Sequence, residues 1–217
     1  MGINAHAFSV LKDSVQTMSD KDCVCCLMFG KMSIRVYMHF NQKIDCIEGS
    51  EDLGSHGRTS SIANRALVFV LRGLCKRWKQ PVAYYLIRGS TKREMLVNFL
   101  LEVLDACHNA GLVVVATMCG MGANNVKALK QLGVSEKTPF FRFRDQEIAA
   151  VFDTPQLLRC TPNLFLKREV LNVGLGVVIY GQPFTGTAKW ADLLKVYETD
   201  IQNMLYHLLH NVTDRHL

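Results

Sequence analysis

The chain has 217 residues, of which 49% are hydrophobic and 20% charged, so it suits one globular domain, or one domain with an incomplete second, and is not a disordered chain. Five prolines and 15 glycines exclude the low-complexity and collagen-like classes. A formal net charge of +6 permits nucleic-acid binding without requiring it.

The N-terminus and the cysteines indicate a reducing compartment. Residues 1–6 lack a basic stretch followed by an apolar run, so we expect no secretory signal, and no run of about 18 apolar residues predicts a membrane span. The eight cysteines are therefore expected to be thiols. Cys23 and Cys26 form a Cys-x-x-Cys pair, but a structural zinc site needs four ligands. We interpret Cys25 and Cys26 as small apolar residues of a strand and expect no metal site.

The first quarter of the chain predicts a helix, a strand and a loop. Residues 1–22 are predicted as a helical lead-in, because four apolar residues recur at helical spacing: Phe8, Leu11, Val15 and Met18. Cys25–Tyr37 is apolar and then alternates, which predicts a half-buried strand that continues through a bend or hairpin into His39–Ile47. Residues 48–62 are rich in Gly, Ser and Asp, which predicts a loop.

Two strands and a long helix follow. The β-rich runs Ala66–Leu71 and Pro81–Ile87 predict an antiparallel pair. Thr91 and Glu94 have the spacing of a capping box, and Gly111 is a suitable end for the helix between them. One apolar stripe runs along this helix: Leu96, Phe99, Leu100, Val103, Leu104 and Cys107.

The next elements alternate between strand and helix. Leu112–Met118 predicts a strand covered on both faces, Ala123–Leu132 a short helix, and Glu147–Phe152 another buried strand. This order predicts an α/β fold with a mixed sheet, whose first strands are antiparallel and later strands parallel, with helices on its faces. Further on, Gly174–Thr187 is predicted to be irregular and Ala188–Tyr197 to be an amphipathic helix.

Ligands of such a sheet collect beyond the carboxyl ends of its parallel strands. The two predicted parallel strands deliver Gly120 and Asp153 to that edge. Enzymes commonly hold Mg²⁺ there with carboxylates, and Asp153 is the one acid in these two strand-end positions. The alternative, which we favour, is that Asp153 caps the helix that follows it.

Five stretches resemble the P-element and THAP-domain transposase family in its RNase H-like catalytic domain. They are Leu27–Ile34, Ala66–Tyr85, Leu112–Leu129, Val151–Lys167 and Ala188–Asp200. The resemblance implies an RNase H-like fold over residues 23–170, and the start of an inserted GTP-binding region, truncated, over residues 171–217. It also implies an ancestral Mg²⁺-dependent DNA cleavage and strand transfer, in which acidic residues hold two metal ions.

The chain departs from the family at its acidic positions. The family's first Asp and the Glu after it correspond to Gly30 and Lys31, and its second Asp corresponds to Gly120. We expect the third acid to lie beyond the end of this chain, which leaves Asp153 as a remaining acid. Glycine has no ligand atom, so we expect no catalysis and neither of the family's cofactors, Mg²⁺ and GTP. Decay of a transposon copy and domestication without cleavage both explain the loss.

The resemblance also implies partners, namely DNA and transposase chains, and a nuclear location. Candidate residues for sequence-independent DNA contact are Arg72, Lys76, Arg77, Trp78, Lys79, Lys92 and Arg93. The alternative is that Trp78 belongs to the core and the charges are solvated. The family's zinc-binding Cys and His arrangement for sequence-specific reading is not found in this sequence. The runner-up function is a protein-interaction module that pairs with full-length transposase or host factors, and a third is a product without function.

Overall fold

The computed structural model describes four stretches of the chain, residues 1–42, 45–155, 170–179 and 182–202. They belong to two compact units, Met1–Asp153 and Thr154–Leu217, each of which is described by itself. The domain boundary predicted at residue 170 falls at the end of a stretch outside the described residues and stays a prediction.

The first unit alternates strands and helices in the predicted order. Its helices are α1 (Ala5–Val15), α2 (Arg93–Asn109) and α3 (Ala123–Gln131), with a short 3-10 turn at Gly54–His56. Its strands are β1 (Gly2–Ile3), β2 (Val24–Ser33), β3 (His39–Asn41), β4 (Cys46–Glu48), β5 (Ser50–Asp52), β6 (Arg58–Ile62), β7 (Arg65–Gly73), β8 (Lys79–Ile87), β9 (Val113–Cys119), β10 (Phe140–Phe143) and β11 (Gln146–Phe152).

Nine of the strands described in this unit form one mixed sheet. The order is β10-β11-β9-β2-β7-β8-β5-β6, and β1 pairs with β8. Strands β2, β7 and β8 are antiparallel neighbours, whereas β9 runs parallel to β2 and β11 runs parallel to β9. The predicted mixed sheet, antiparallel first and parallel later, is therefore confirmed. Strands β3 and β4 form a separate antiparallel hairpin.

The core lies between the sheet and α2. Alternate residues of β2, among them Leu27 and Phe29, join the apolar stripe of α2 in one buried cluster. Tyr85 of β8 stacks on Phe99 of α2 with a centroid distance of 3.7 Å. The predicted lead-in helix also packs here, since Leu11 of α1 belongs to the same cluster. Its first turn is capped by Asn4, whose side-chain oxygen accepts a hydrogen bond from the backbone N–H of Ala7.

Four predictions for this unit are wrong. Cys25–Tyr37 is not one strand, because β2 ends at Ser33 and the following β3 and β4 pair with each other in a separate sheet. The strand predicted to be buried over Glu147–Phe152 is half-exposed, since Glu147, Ala149 and Val151 are exposed. The loop predicted over residues 48–62 contains β5 and β6, which extend the sheet beyond β8. Both strands are short and polar, β6 lies at the edge of the sheet, and their composition resembles that of a loop. The capping box at Thr91 does not form, because α2 starts one residue later with Lys92 as N-cap and no side-chain cap. The carbonyl of Thr91 instead accepts a hydrogen bond from the Asn124 side chain at 2.7 Å.

A buried carboxylate fixes the turn between β5 and β6. Asp52 is buried and accepts hydrogen bonds from the backbone N–H of Gly54, at 2.9 Å, and from the guanidinium of Arg58. Burial opposes its charge, but these hydrogen bonds, together with the charges of Arg58 and the N-terminus, outweigh burial and lower the pKa of Asp52 below its ordinary value. The turn therefore depends on an ionised carboxylate.

The second unit contains a hairpin and a helix. Strands β12 (Val170–Ile179) and β13 (Gln182–Lys189) pair antiparallel, and α4 (Trp190–Gln202) follows them. The prediction that Gly174–Thr187 is irregular is therefore wrong. Gly174 and Gly176 lie where the pairing register shifts, between Val173 and Val177, and they lack the β-branched side chains that mark a strand in sequence. The predicted helix over Ala188–Tyr197 is confirmed as α4 from Trp190 onward, while Ala188 and Lys189 belong to β13.

No helix in the described stretches is long and apolar enough to cross a membrane.

Candidate active-site edge and basic surfaces

Gly30 and Gly120 lie side by side at one edge of the sheet. Strands β2 and β9 pair in parallel, and the last matched pair is Phe29 with Cys119. Gly30 follows Phe29 directly in the sequence, and Gly120 follows Cys119. The two positions that the resemblance assigns to carboxylates therefore converge in the fold, although they are far apart in sequence.

Asp153 joins them from the neighbouring strand. Phe152 of β11 pairs with Cys119, and the backbone N–H of Asp153 donates to the carbonyl of Cys119 at 2.8 Å. Three adjacent strands thus deliver Gly30, Gly120 and Asp153 to one edge, and only the last has a carboxylate. This is the candidate active-site edge.

The two glycine positions of this edge leave space for larger side chains but supply no side-chain ligand for a metal ion. A Cβ atom added at Gly30 would meet nothing within 4 Å. The carbonyl of Gly120 accepts a hydrogen bond from the Asn125 side chain at 2.8 Å. Lys31 lies on the opposite face of β2 from Gly30, because successive strand residues alternate. Burial, and then the charge of Arg65, lower the pKa of Lys31.

These residues do not fit a magnesium site. Mg²⁺ is held by carboxylates and phosphates, and two of the three positions at the edge are glycines. Across the described ranges, no group of three or more His, Cys, Asp or Glu residues is placed to hold a metal ion.

Five of the cysteines in the described residues are buried free thiols. Cys23, Cys25, Cys26, Cys107 and Cys119 are free and buried. Burial raises the pKa of Cys25 and of Cys119 to about 12, and the neighbouring thiols of Cys26 and Cys23 add to the shift at Cys25. These thiols stay protonated at neutral pH, as expected of small apolar residues.

The predicted basic residues divide into two groups at opposite ends of the sheet. Arg72, Lys76, Arg77 and Lys79 surround the turn between β7 and β8, which we call the hairpin cluster. This turn lies beside the start of β2, since the N–H of Leu74 donates to the carbonyl of Val24. Lys92 and Arg93 follow the other end of β8. That strand has nine residues and spans about 30 Å, so the two groups do not form one surface.

Trp78 is a structural residue of the turn. Its indole N–H donates to the carbonyl of Asp22 at 3.1 Å, and the ring is partly buried against the core. Gly73 makes this packing possible, because a Cβ there would lie 2.3 Å from the indole nitrogen and 2.4 Å from the carbonyl oxygen of Lys76. These contacts favour the interpretation of Trp78 as a core residue.

The sequence did not reveal two further cations beside Lys92 and Arg93. Lys127 and Lys130, three residues apart on α3, line a cavity of about 420 Å³ together with Arg93, Glu94 and Gln131. An adjoining cavity of about 380 Å³ is lined by Ser90, Lys92, Arg93, Glu94, Asn124 and Lys127. The spacing of the two lysines was a signal for a shared helix face, but only the packing of α3 on α2 brings them to Lys92 and Arg93.

Comparison with known protein families gives a match over the first part of the chain. Residues 1–133 match the sequence model of the family described as TNP-like, RNase H N-terminal domain. The chain belongs to this family. The match covers more than half of the chain and includes Gly30 and Gly120.

Two known proteins are similar to this chain over most of its length. The transposable element P transposase of Drosophila melanogaster is 26% identical over 169 residues, which cover 76% of this chain and 19% of that protein. The solved Drosophila P element transposase strand transfer complex superposes with a TM-score of 0.67 at 21% identity, over 95% of this chain and 41% of that one. The predicted resemblance to P-element transposases and the RNase H-like fold are therefore confirmed. The chain spans less than half the length of either relative.

Proposed function

We propose that the chain is a transposase-derived RNase H-like domain that binds DNA without cleaving it and without reading its sequence. The observation that carries the proposal is the adjacency of Gly30 and Gly120. In the resemblance these positions hold the acids of a Mg²⁺-dependent DNA cleavage and strand-transfer reaction, which we take as the ancestral activity.

The chemistry of that edge supports a loss of cleavage. Two-metal phosphoryl transfer uses carboxylates to hold both ions and to stabilise the attacking and leaving oxygens. Gly30 and Gly120 supply no ligand atom, and Asp153 alone provides one carboxylate. The proposed binding activity needs neither the Mg²⁺ nor the GTP that the resemblance implies, since phosphate contacts require only cations and hydrogen-bond donors.

Charge supports the retention of DNA binding. The chain carries a formal net charge of +6, and exposed cations lie at both ends of the sheet. Contacts from Lys and Arg to phosphates give affinity without sequence information. The named relatives are transposases, and a domain kept for DNA contact would act in the nucleus.

The test is fluorescence anisotropy of labelled single- and double-stranded DNA across about 50 to 200 mM salt. We expect binding with a steep negative slope of log affinity against log salt, equal affinity for unrelated sequences, and no cleavage products with Mg²⁺ or Mn²⁺. A folded chain that does not bind at the lowest salt refutes DNA binding and leaves two interpretations, a protein-interaction module or a decayed transposon copy. Cleavage that depends on Asp153 refutes the proposed inactivity.

A second candidate function is a protein-interaction module that pairs with full-length transposase chains or host factors. It is favoured by five apolar residues around the β3–β4 hairpin that are 44% to 63% exposed: Val36, Tyr37, Met38, Phe40 and Ile47. Exposed apolar patches mark protein interfaces. Such association would persist at high salt, whereas DNA binding would weaken steeply, so sedimentation with a full-length transposase at low and high salt separates the two functions.

A further inference from the structure

The cavities between α2 and α3 form one basic groove. They share three lining residues, Arg93, Glu94 and Lys127, so the two spaces adjoin. We call this surface the helix groove and define its charged residues as Lys92, Arg93, Glu94, Lys127 and Lys130. It has four cations and one carboxylate, and all five side chains belong to exposed residues.

Most of this positive charge is not neutralised within the described part of the chain. Lys92, Lys127 and Lys130 make no ion pair there, and Arg93 pairs only with its neighbour Glu94, at 2.5 Å. The hairpin cluster likewise makes no ion pair within the described residues, so the concave shape of the helix groove is what distinguishes it. A concave surface lined by cations raises the local concentration of an anionic ligand.

The first turn of α2 adds hydrogen-bond donors to the groove. This helix has 17 residues, and no side chain of its N-cap accepts from its first N–H groups. Such groups and the helix dipole favour an anion. The Glu94 carboxylate partly fills this role: hydrogen bonds from Arg93, and then from its own backbone N–H, lower the pKa of Glu94. Glu94 therefore competes with an incoming phosphate.

The groove lies beside the candidate active-site edge. Asn124 lines it and donates to the carbonyl of Thr91, while the next residue, Asn125, donates to the carbonyl of Gly120. The hairpin cluster lies at the other end of the sheet. A strand of DNA that contacts the helix groove would therefore lie close to Gly120.

We propose that the helix groove binds the phosphodiester backbone of DNA and is the main DNA contact of this domain. The proposal rests on the proposed function and makes it specific, since it assigns the contact to α2 and α3. Phosphates would bind Lys92, Arg93, Lys127 and Lys130, and would compete with the Glu94 carboxylate for the N–H groups of the first turn of α2.

The test compares two double variants of the full chain that remove the same charges. The groove variant, Lys127→Ala with Lys130→Ala, removes two lysines from the helix groove. The hairpin variant, Lys76→Ala with Lys79→Ala, removes two lysines from the hairpin cluster. In anisotropy titrations with a labelled duplex, we expect the groove variant to bind roughly three- to thirty-fold more weakly. Its salt slope should fall by roughly 1.8, or about 0.9 for each lost phosphate contact. The hairpin variant should retain the wild-type slope.

A third variant has the opposite expected sign. Glu94→Gln removes the competing carboxylate, and it should raise DNA affinity by a few-fold at low salt. All of these side chains are exposed, so circular dichroism should show wild-type folding. If the wild-type chain binds DNA and the groove variant keeps its affinity and slope, the groove assignment is overturned while the proposed function stands. If the wild-type chain does not bind DNA, both are overturned.

Discussion

Replacing Gly73 with alanine should destabilise the turn that carries the hairpin cluster. The new Cβ would lie 2.3 Å from the Trp78 indole nitrogen and 2.4 Å from the Lys76 carbonyl oxygen. The second of these atoms belongs to the backbone, so a rotamer change of one side chain cannot relieve the clash. Relief requires the turn to move away from β7.

The expected loss follows from two contributions. Overpacking of a well-packed site costs about 1–3 kcal/mol. Movement of the turn also strains two hydrogen bonds, from Gly73 N–H to the Trp78 carbonyl and from the indole N–H to Asp22, each worth about 0.5–1.5 kcal/mol. We expect a loss of about 2–4 kcal/mol in the free energy of unfolding, which corresponds to a Tm lower by roughly 4–16 °C for a chain of this size.

The matched control is Gly30→Ala, which makes the same chemical change in the adjacent strand. A Cβ at Gly30 would meet no atom within 4 Å, and alanine is favoured over glycine in a strand by about 0.5–1 kcal/mol. Thermal and urea unfolding should therefore move in opposite directions for the two variants. Equal stability of Gly73→Ala and the wild type would refute the inferred packing of Trp78 against this turn.

Three further predictions concern metal, pH and thiol reactivity. Gly30→Asp with Gly120→Asp should raise Mn²⁺ affinity in calorimetry, because the two positions are adjacent; unchanged affinity would show that they do not converge on one ion. Asp52→Asn should lower the free energy of unfolding at pH 7, and the variant should lose less further stability than the wild type below about pH 4. The reason is that the folded protein lowers the pKa of Asp52, so the ionised carboxylate stabilises the fold above its ordinary pKa. This contribution disappears as pH falls through the folded pKa. A flat difference between pH 3 and 7 would contradict this. Cys75 is exposed and should be alkylated before the buried Cys25, as judged by peptide mapping, and equal labelling rates would contradict the inferred burial.

Periodic apolar runs predicted the centre of the fold well. Strands β7, β8 and β9 and helix α2 follow the alternating or helical spacing of their apolar residues, because burial against one core imposes that spacing. Strands β5 and β6 were missed because they are polar, and they owe their conformation to pairing beyond β8. The hairpin of β12 and β13 was missed because its glycines interrupt the pattern.

The candidate site was only partly predictable. The positions Gly30 and Gly120 came from a resemblance, and their adjacency depends on the register between β2 and β9, which no local pattern specifies. Lys79 and Lys92 were grouped because they are close in sequence, but the nine-residue strand β8 places them at opposite ends of the sheet. The helix groove was missed because Lys92 and Lys127 are joined only through the packing of α2 on α3.

The two asparagines at the start of α3 have a consequence for how this edge keeps its shape. Asn124 and Asn125 tie the start of α2 and the end of β9 to one helix through amide hydrogen bonds. Neutral amides do not repel one another, unlike a cluster of carboxylates, which needs bound cations to relieve its repulsion. We therefore expect this scaffold to hold together without divalent ions: a chelator should leave its melting temperature unchanged, and the helix groove, which we propose as the DNA contact, should stay assembled.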